Sequence, residues 1–388
     1  MDPASAAPAT GSTAASAGVL PRIAAPLLFV MLGVVFASWA ARIPAIRDAL
    51  QLSPAQLGVA LLCAGAGSVG AFPLAAWLVG HHGPRRASLW SGTLLLLVVT
   101  GLGWAPSLPT LMVLMVGFGV FETSFNVAIN AVAARMEHSA GRSIMSRLHA
   151  WYCVGTFAGA LLGSALAGAR IGVGLHFTAV ALVAWAVVVV TCAALAPDRP
   201  DAQARPGRLT LPRGPLFTLG VVCFCVAIAE GAITDWSGVY MRDALGAGEG
   251  TAPLAFAAFS ALMLAVRWVA DPLKDRWGAQ RIVAAGGIAA AAGVGLAAAA
   301  LNAPLTIAGF ALAGAGIAAV FPFIFSAAGR HGATALAGVA TMGYSGVLIG
   351  PPAIGFVAHL WGLQAAMVVI ALVSIAMTLA ARRSQLLV

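Results

Sequence analysis

The stretch Gly117–Asn130, GFGVFETSFNVAIN, places one carboxylate, Glu122, in the middle of an otherwise apolar span. Asn126 and Asn130 follow it at i+4 and i+8, so a helix would carry all three on one stripe. About twelve apolar residues on either side, at ~1.5 Å rise each, would set Glu122 near the middle of a ~30 Å bilayer core. A carboxylate there costs at least ~2.5 kcal/mol and must face protein or water. The stretch predicts either a structural carboxylate or a proton or substrate site, and we favour the second.

The composition places the whole chain in a membrane. Of its 388 residues 61% are hydrophobic and only 9% are charged, with a mean hydropathy of +0.96. A soluble domain would carry about 25% charged residues. The net charge of +9 does not indicate nucleic-acid binding, because the basic residues punctuate apolar spans and form no continuous groove. We therefore predict an all-α membrane protein in contact with a lipid bilayer.

Twelve apolar spans predict two pseudo-symmetric halves of six helices. A polar stretch rich in proline and arginine separates spans six and seven. The predicted parts are a disordered cytoplasmic tail (1–21), an N-terminal six-helix bundle (22–196), a cytoplasmic linker (197–214) and a C-terminal six-helix bundle (215–388). The predicted spans are roughly 23–46, 54–79, 87–104, 109–134, 145–168, 172–196, 215–241, 251–273, 281–301, 304–328, 335–359 and 363–381.

The distribution of basic residues and an internal repeat support this topology. With both termini cytoplasmic, sixteen of the 21 Lys and Arg residues lie on the inside, as the positive-inside rule requires for a bacterial inner membrane. The sequence RDAL occurs at Arg47–Leu50 and again at Arg242–Leu245, an offset of 195 residues. The same offset relates Gly83 to Gly278, Pro109 to Pro304, Gly119 to Gly314 and Gly155 to Gly350. A duplication predicts a solute site between the halves, at the membrane midplane.

The polar residues within spans are the candidate site. Glu230 lies near the middle of span seven, as Glu122 does in span four, and the pair predicts proton coupling because buried carboxylates can exchange protons near neutral pH. An interhelical hydrogen bond is the alternative for Glu230. The predicted solute-binding residues are Asn126, Asn130, Trp39, Thr234 and Ser237, and the predicted gating or ion-pair residues within spans are Arg42, Asp235 and His149.

Other chemistry is not indicated by the sequence. The five cysteines all fall inside apolar spans and are typical of small buried hydrophobic residues, not of a metal site or a disulfide framework. No phosphate-binding G-x-x-x-x-G-K-[ST] loop and no nucleophile–base set is found. We expect no enzyme activity, no cofactor and no metal, and an ion or solute gradient as the source of energy.

The loop between spans eight and nine, Asp271-Pro-Leu-Lys-Asp275-Arg276-Trp-Gly278-Ala-Gln-Arg281, resembles the D-R-x-G-x-x-R motif of the major facilitator superfamily. The first-half copy, GHHGPRR from Gly80, has glycine where the motif has aspartate. The resemblance implies that Asp271, Asp275 and Arg276 belong to a cytoplasmic gate.

Three further stretches extend the resemblance over nearly the whole chain. The segments at 37–48, 229–236 and 343–356 are similar to the YbjJ-type bacterial inner-membrane transporters. A looser similarity is to the fucose–galactose–hexose proton symporters, which implies a coupling role for Glu122. Those symporters also have an aspartate in the first helix, and this chain has no acidic residue there before Asp48.

The sequence thus predicts a monomeric secondary transporter that moves a small polar organic solute, sugar-like by preference, together with protons. A proton-driven exporter of a metabolite or drug is the alternative. A membrane receptor or assembly factor built on a transporter fold is a third, different class.

Overall fold

The computed structural model describes residues 19–140, 145–197 and 212–387, and this part of the chain is helical throughout apart from short connections. The predicted tail up to residue 18 and most of the predicted linker, residues 198–211, lie outside the described residues. The helices are α1 (Val19–Ala49), α2 (Pro54–His82), α3 (Pro84–Gly103), α4 (Leu108–Ala140), α5 (Met145–Gly168), α6 (Val173–Ala194), α7 (Pro215–Leu245), α8 (Leu254–Trp277), α9 (Ala279–Ala299), α10 (Ala303–Ile317), α11 (Val320–Gly329) and α12 (Ala333–Arg383), followed by a short 3₁₀ helix (Gln385–Leu387).

The helices accommodate the twelve predicted spans. In the described residues, eleven helical stretches are long and apolar enough to cross a membrane. The last, Gly338–Arg383, has 46 residues and is interrupted at Gly362, whose φ of 85° is not helical, so it provides two spans. We call the face where α1 begins the N-terminal face and the face where α1 ends the far face.

The tenth predicted span, 304–328, is confirmed as Ala303–Gly329, but its helix is divided into α10 and α11 at Ala318 and Ala319. Pro322 explains the division. Proline has no N–H, so the carbonyl group of Ala318, four residues earlier, loses its helical donor. A side chain from α8 takes that carbonyl group instead, as described below.

The internal repeat is visible in the contacts between backbones. A Cβ atom added at Gly119 in α4 would lie 1.9 Å from the carbonyl oxygen of Ala64 in α2. In the second half, a Cβ added at Gly314 in α10 would lie 2.2 Å from the carbonyl oxygen of Phe259 in α8. The partner residues, Ala64 and Phe259, are related by the same offset of 195 residues as the two glycines. Each half therefore packs its second helix against its fourth through an equivalent glycine.

The two copies of the motif loop also share one backbone conformation. Gly83, between α2 and α3, has φ 79° and ψ 157°, and Gly278, between α8 and α9, has φ 80° and ψ 148°. A side chain would be strained at this positive φ. The first copy has thus lost the aspartate of the motif and kept the glycine that the turn requires.

The halves meet through helix pairs that the repeat relates to one another. Within the first half α1 packs on α5 and α3 on α6, and within the second half α7 and α9 pack on α12. Between the halves α2 packs on α12, α5 on α8 and α1 on α7. The interior enclosed by these pairs is where the polar residues of α4, α5, α7 and α8 meet.

We predict that Gly119→Ala lowers the melting temperature of the purified protein by several degrees. The new methyl group would meet a backbone oxygen, which cannot move aside as a side chain can, and overpacking of this kind costs about 1–3 kcal/mol. Gly70→Ala is the matched control, because an added Cβ in this other helical glycine meets nothing within 4 Å. Equal melting temperatures for the two variants would contradict the proposed packing.

Candidate functional site

The predicted stripe on α4 forms a chain of hydrogen bonds. Asn130 donates through Nδ2 to the side-chain oxygen of Asn126 at 2.6 Å and to its backbone oxygen at 2.8 Å. Asn126 in turn lies within hydrogen-bonding reach of the Glu122 carboxylate, and the Thr123 hydroxyl is 3.4 Å from Glu122 Oε2. The amides thus support Glu122, which keeps some exposed surface.

Glu230 lies near the middle of α7 and is half-buried. Its Oε2 atom is buried and has no hydrogen-bond partner among the described residues. The hydroxyl of Thr234, one turn later, donates to the backbone oxygen of Glu230 at 2.8 Å and so does not serve the carboxylate. A buried carboxylate oxygen without a donor is costly and indicates a place for a ligand or a proton.

Arg267, near the middle of α8, is the principal residue that the sequence interpretation left without a role. Its Nε donates to the Ala318 carbonyl oxygen at 3.0 Å, the group that Pro322 leaves free. Its Nη1 lies 2.7 Å from Cys153 Sγ on α5. The signal was present in the sequence, since an ionisable residue inside a span is a functional candidate by default.

Tyr152 on α5 connects these groups. It lies within electrostatic range of Glu122, Glu230 and Arg267. Arg267 in turn lies within range of Glu230, although the two form no ion pair. We call Glu122, Tyr152, Cys153, Glu230 and Arg267 the central cluster. It contains both carboxylates predicted for proton coupling, one from each half, within electrostatic range of Tyr152, and Glu230 is also within range of Arg267.

The remaining predicted solute-binding residues are buried in this conformation. Trp39 is 2% exposed and packs against the Phe118 ring at 5.9 Å between centroids. Ser237 is fully buried, and its hydroxyl has no partner among the described residues. Thr234 is also buried. Their roles in binding stay predictions, as does that of His149, which is exposed in part and meets the Phe29 ring edge-on at 5.3 Å.

At the far face the two copies of RDAL bind each other. Arg47 pairs with Asp243, and Arg242 Nε lies 3.1 Å from Asp48 Oδ2. Each pair joins α1 of the first half to α7 of the second, and the repeat exchanges one pair for the other. We call these four residues the reciprocal clamp.

The residues predicted to pair on this side lie deeper in the bundle. Arg42 is 2% exposed and donates to the carbonyl oxygen of Ile171 in the connection before α6, within its own half. Asp235 is half-buried in α7. A second link between the halves is the Ser164 hydroxyl on α5, which donates to the carbonyl oxygen of Gly250 in the loop before α8.

The motif loop lies at the N-terminal face. Asp271, Asp275 and Arg276 are all exposed, and the Arg276 guanidinium lies over the ring of its neighbour Trp277 at 5.6 Å. A cavity of about 380 Å³ lies beside the loop, lined by Lys274, Asp275, Gly278, Ala279, Phe323, Ala327, Arg330, Leu386 and Leu387. The gating role of the motif stays a prediction. Among the described residues no three His, Cys, Asp or Glu side chains come together as a metal site.

This architecture has known relatives. The family profile described as Major Facilitator Superfamily matches residues 24–344. The chain belongs to the major facilitator superfamily. It is accordingly a multi-pass membrane transporter and not an enzyme, as the sequence predicted.

Relatives in this superfamily match over most of their length. The chain is 33% identical over 337 residues to the uncharacterized transporter y4wD of Sinorhizobium fredii, covering 85% of this chain and 89% of the relative. It is 30% identical over 370 residues to an uncharacterized MFS-type transporter of Yersinia pestis, covering 94% and 96%. It is 31% identical over 356 residues to the membrane protein MosC of Rhizobium meliloti, covering 89% and 86%.

Solved structures of the superfamily share the fold at low sequence identity. A mutant of the nucleoside transporter NupG superposes with a TM-score of 0.79 at 11% identity, covering 94% of this chain and 100% of that one. A bacterial homologue of the human lysosomal transporter Spinster, inward-facing and occupied, gives 0.74 at 14% identity, covering 93% and 96%.

We predict that Arg47→Asp opens the far face of this transporter, because it replaces an ion pair with carboxylate repulsion. A partly exposed pair contributes up to about 1 kcal/mol, so a cysteine at position 164 should react about fivefold faster with an impermeant thiol reagent. The measurement uses Ser164→Cys in a background without the native cysteines. Restoration by the double change Arg47→Asp with Asp243→Arg is the control. An unchanged labelling rate in the single variant would contradict the clamp.

Proposed function

We propose that this protein is a secondary active transporter that couples a small polar organic solute to protons by alternating access between the two faces of the membrane. The observation that carries the proposal is the central cluster. One carboxylate from each half lies there within electrostatic range of Tyr152, between the two halves. A transporter that derives its energy from protons needs such groups where solute and both halves meet.

Glu122 is the residue that carries the coupling proton in this proposal. Apolar burial disfavours the charged form of a carboxylate, whereas hydrogen bonds from neighbouring amides favour it. Glu122 lies in an apolar helix, with the amide of Asn126 within hydrogen-bonding reach. Small changes around it therefore change its proton affinity, as coupling requires.

A hydroxyl-rich, sugar-like solute suits the rest of the site. Amide side chains such as Asn126 and Asn130 offer donors and acceptors together, which a hydroxyl group can satisfy on both sides. With the termini on the cytoplasmic side, as the basic residues predict, the reciprocal clamp closes the periplasmic face. The conformation described here would then be the one that releases an imported solute, or accepts an exported one, on the inside.

We predict that Glu122→Gln abolishes solute accumulation driven by a pH gradient and leaves solute exchange across proteoliposomes measurable. The amide keeps the size and hydrogen bonding of the side chain and removes its proton. The assay follows labelled D-glucose, D-galactose and D-gluconate into proteoliposomes with and without an imposed pH gradient. Glu249→Gln, at an exposed loop position, is the control and should resemble the parent protein. Undiminished gradient-driven uptake by Glu122→Gln would refute the coupling role.

We predict that Glu230→Cys reacts with a membrane-impermeant thiol reagent, because the proposal places this position at a water-accessible solute site. The background here lacks the native cysteines except the buried Cys153, which belongs to the central cluster. Ala229→Cys is the matched control, since the neighbouring residue is fully buried and should stay unreactive. A solute that is taken up should protect position 230 from the reagent. Complete inertness under every condition would instead indicate a purely structural hydrogen bond.

A further inference from the structure

Among the residues that the structure describes, the Arg267 guanidinium group donates two hydrogen bonds and keeps further N–H groups for other acceptors. An arginine side chain carries five N–H groups in a rigid planar fork. Two of its nitrogen atoms are engaged, Nε with the Ala318 carbonyl oxygen and Nη1 with the Cys153 thiol. These contacts hold the plane of the group from α5 and from the turn between α10 and α11. The remaining N–H groups on Nη1 and Nη2 are suited to a bidentate acceptor.

Glu230 provides a hydrogen-bond acceptor that complements these donors. Its buried Oε2 atom is an acceptor without a donor, and it belongs to a carboxylate that lies within electrostatic range of Arg267 without forming an ion pair. Two opposite charges this deep would normally bond to each other, because leaving either one unsatisfied is costly. The separation leaves a donor fork and a single acceptor available to one small molecule.

We propose that Arg267 and Glu230 bind a solute that bears a carboxylate with a hydrogen-bond donor on a neighbouring carbon, the chemistry of a sugar acid. The carboxylate accepts two hydrogen bonds from the Arg267 fork, and the neighbouring hydroxyl donates to Glu230 Oε2. The remaining hydroxyls face the asparagine stripe of α4. This inference rests on the proposed transport function and specifies its substrate class.

Two physical arguments favour a carboxylate over a neutral sugar. Planar, two-pronged recognition of a carboxylate is the particular capacity of arginine, which a neutral hydroxyl cannot match in strength or geometry. The charges are also consistent with coupling to one proton. If a carboxylate enters while a proton binds Glu122, the net charge of the central cluster does not change. The protein therefore changes conformation with the same charge in its interior, whether or not solute is bound.

The test compares matched ligands by thermal stabilisation of the purified full-length protein, without any gradient. The probes are D-gluconate and D-glucuronate, each against neutral D-glucose. Both acids should stabilise the parent protein more than glucose does, since a ligand that binds the native state raises the melting temperature. Arg267→Gln should weaken acid binding on the order of tenfold or more, because it removes a buried charged partner. Arg383→Gln, at an exposed arginine outside the cluster and the motif loop, should bind as the parent does.

A second variant and a further ligand complete the test. Arg267→Lys keeps the charge without the fork and should bind the acids with intermediate affinity, and it replaces the glutamine variant if that one fails to fold. L-Serine, whose ammonium group could serve as the neighbouring donor, separates amino acids from sugar acids within the same chemistry. Stabilisation by glucose alone, by none of the acids, or equally in parent and Arg267→Gln would overturn the proposal. Binding is measured here without a gradient. If the parent protein showed no proton-driven uptake, the proposed function would be refuted and the binding result would still stand.

Discussion

A guanidinium group in the middle of a membrane-spanning bundle is tolerated only where acceptors surround it. The need of Arg267 for acceptors therefore determines several contacts in the interior. Pro322 frees the Ala318 carbonyl, and Arg267 takes that carbonyl group as its acceptor. The division of span ten and the charge on α8 therefore satisfy each other. The same guanidinium reaches Cys153 across the boundary between halves. One residue thus ties together a broken helix, its own helix and the opposite bundle.

Close backbone approach is the second condition for this interior. In a bilayer no hydrophobic force draws helices together, so small residues that allow contact between backbones replace it. Gly119 and Gly314 provide this contact at equivalent places in the two halves. The two halves thus share this packing while their polar residues differ, since Glu122 of the first half and Arg267 of the second have apolar counterparts, Ile317 and Phe72, at the repeat offset.

The sequence predicted the fold well because its signals are local or periodic. Each of three signals can be interpreted without knowing which residues are neighbours in space: the apolar spans, the offset of 195 residues and the glycine at position 278. The site was predicted only in part, because its contacts join residues far apart in sequence. Arg47 and Asp243 are 196 residues apart, and nothing local indicates that α1 meets α7 there. Likewise Pro322 was predictable as a helix breaker. That the carbonyl group it leaves free accepts a hydrogen bond from an arginine depends on how α8 packs.

The reciprocal clamp shows why such a transporter can change state at all. Its two ion pairs are partly exposed, with side-chain exposures of 16% and 27% in one pair and 33% and 43% in the other. Pairs of this kind contribute about 0–1 kcal/mol each, so the clamp holds the far face closed by no more than ~2 kcal/mol. A ligand shifts a two-state equilibrium only by its differential affinity for the two states. Solute binding at the central cluster, as proposed above, therefore needs a differential affinity of only about 2 kcal/mol between the two states to outweigh the clamp.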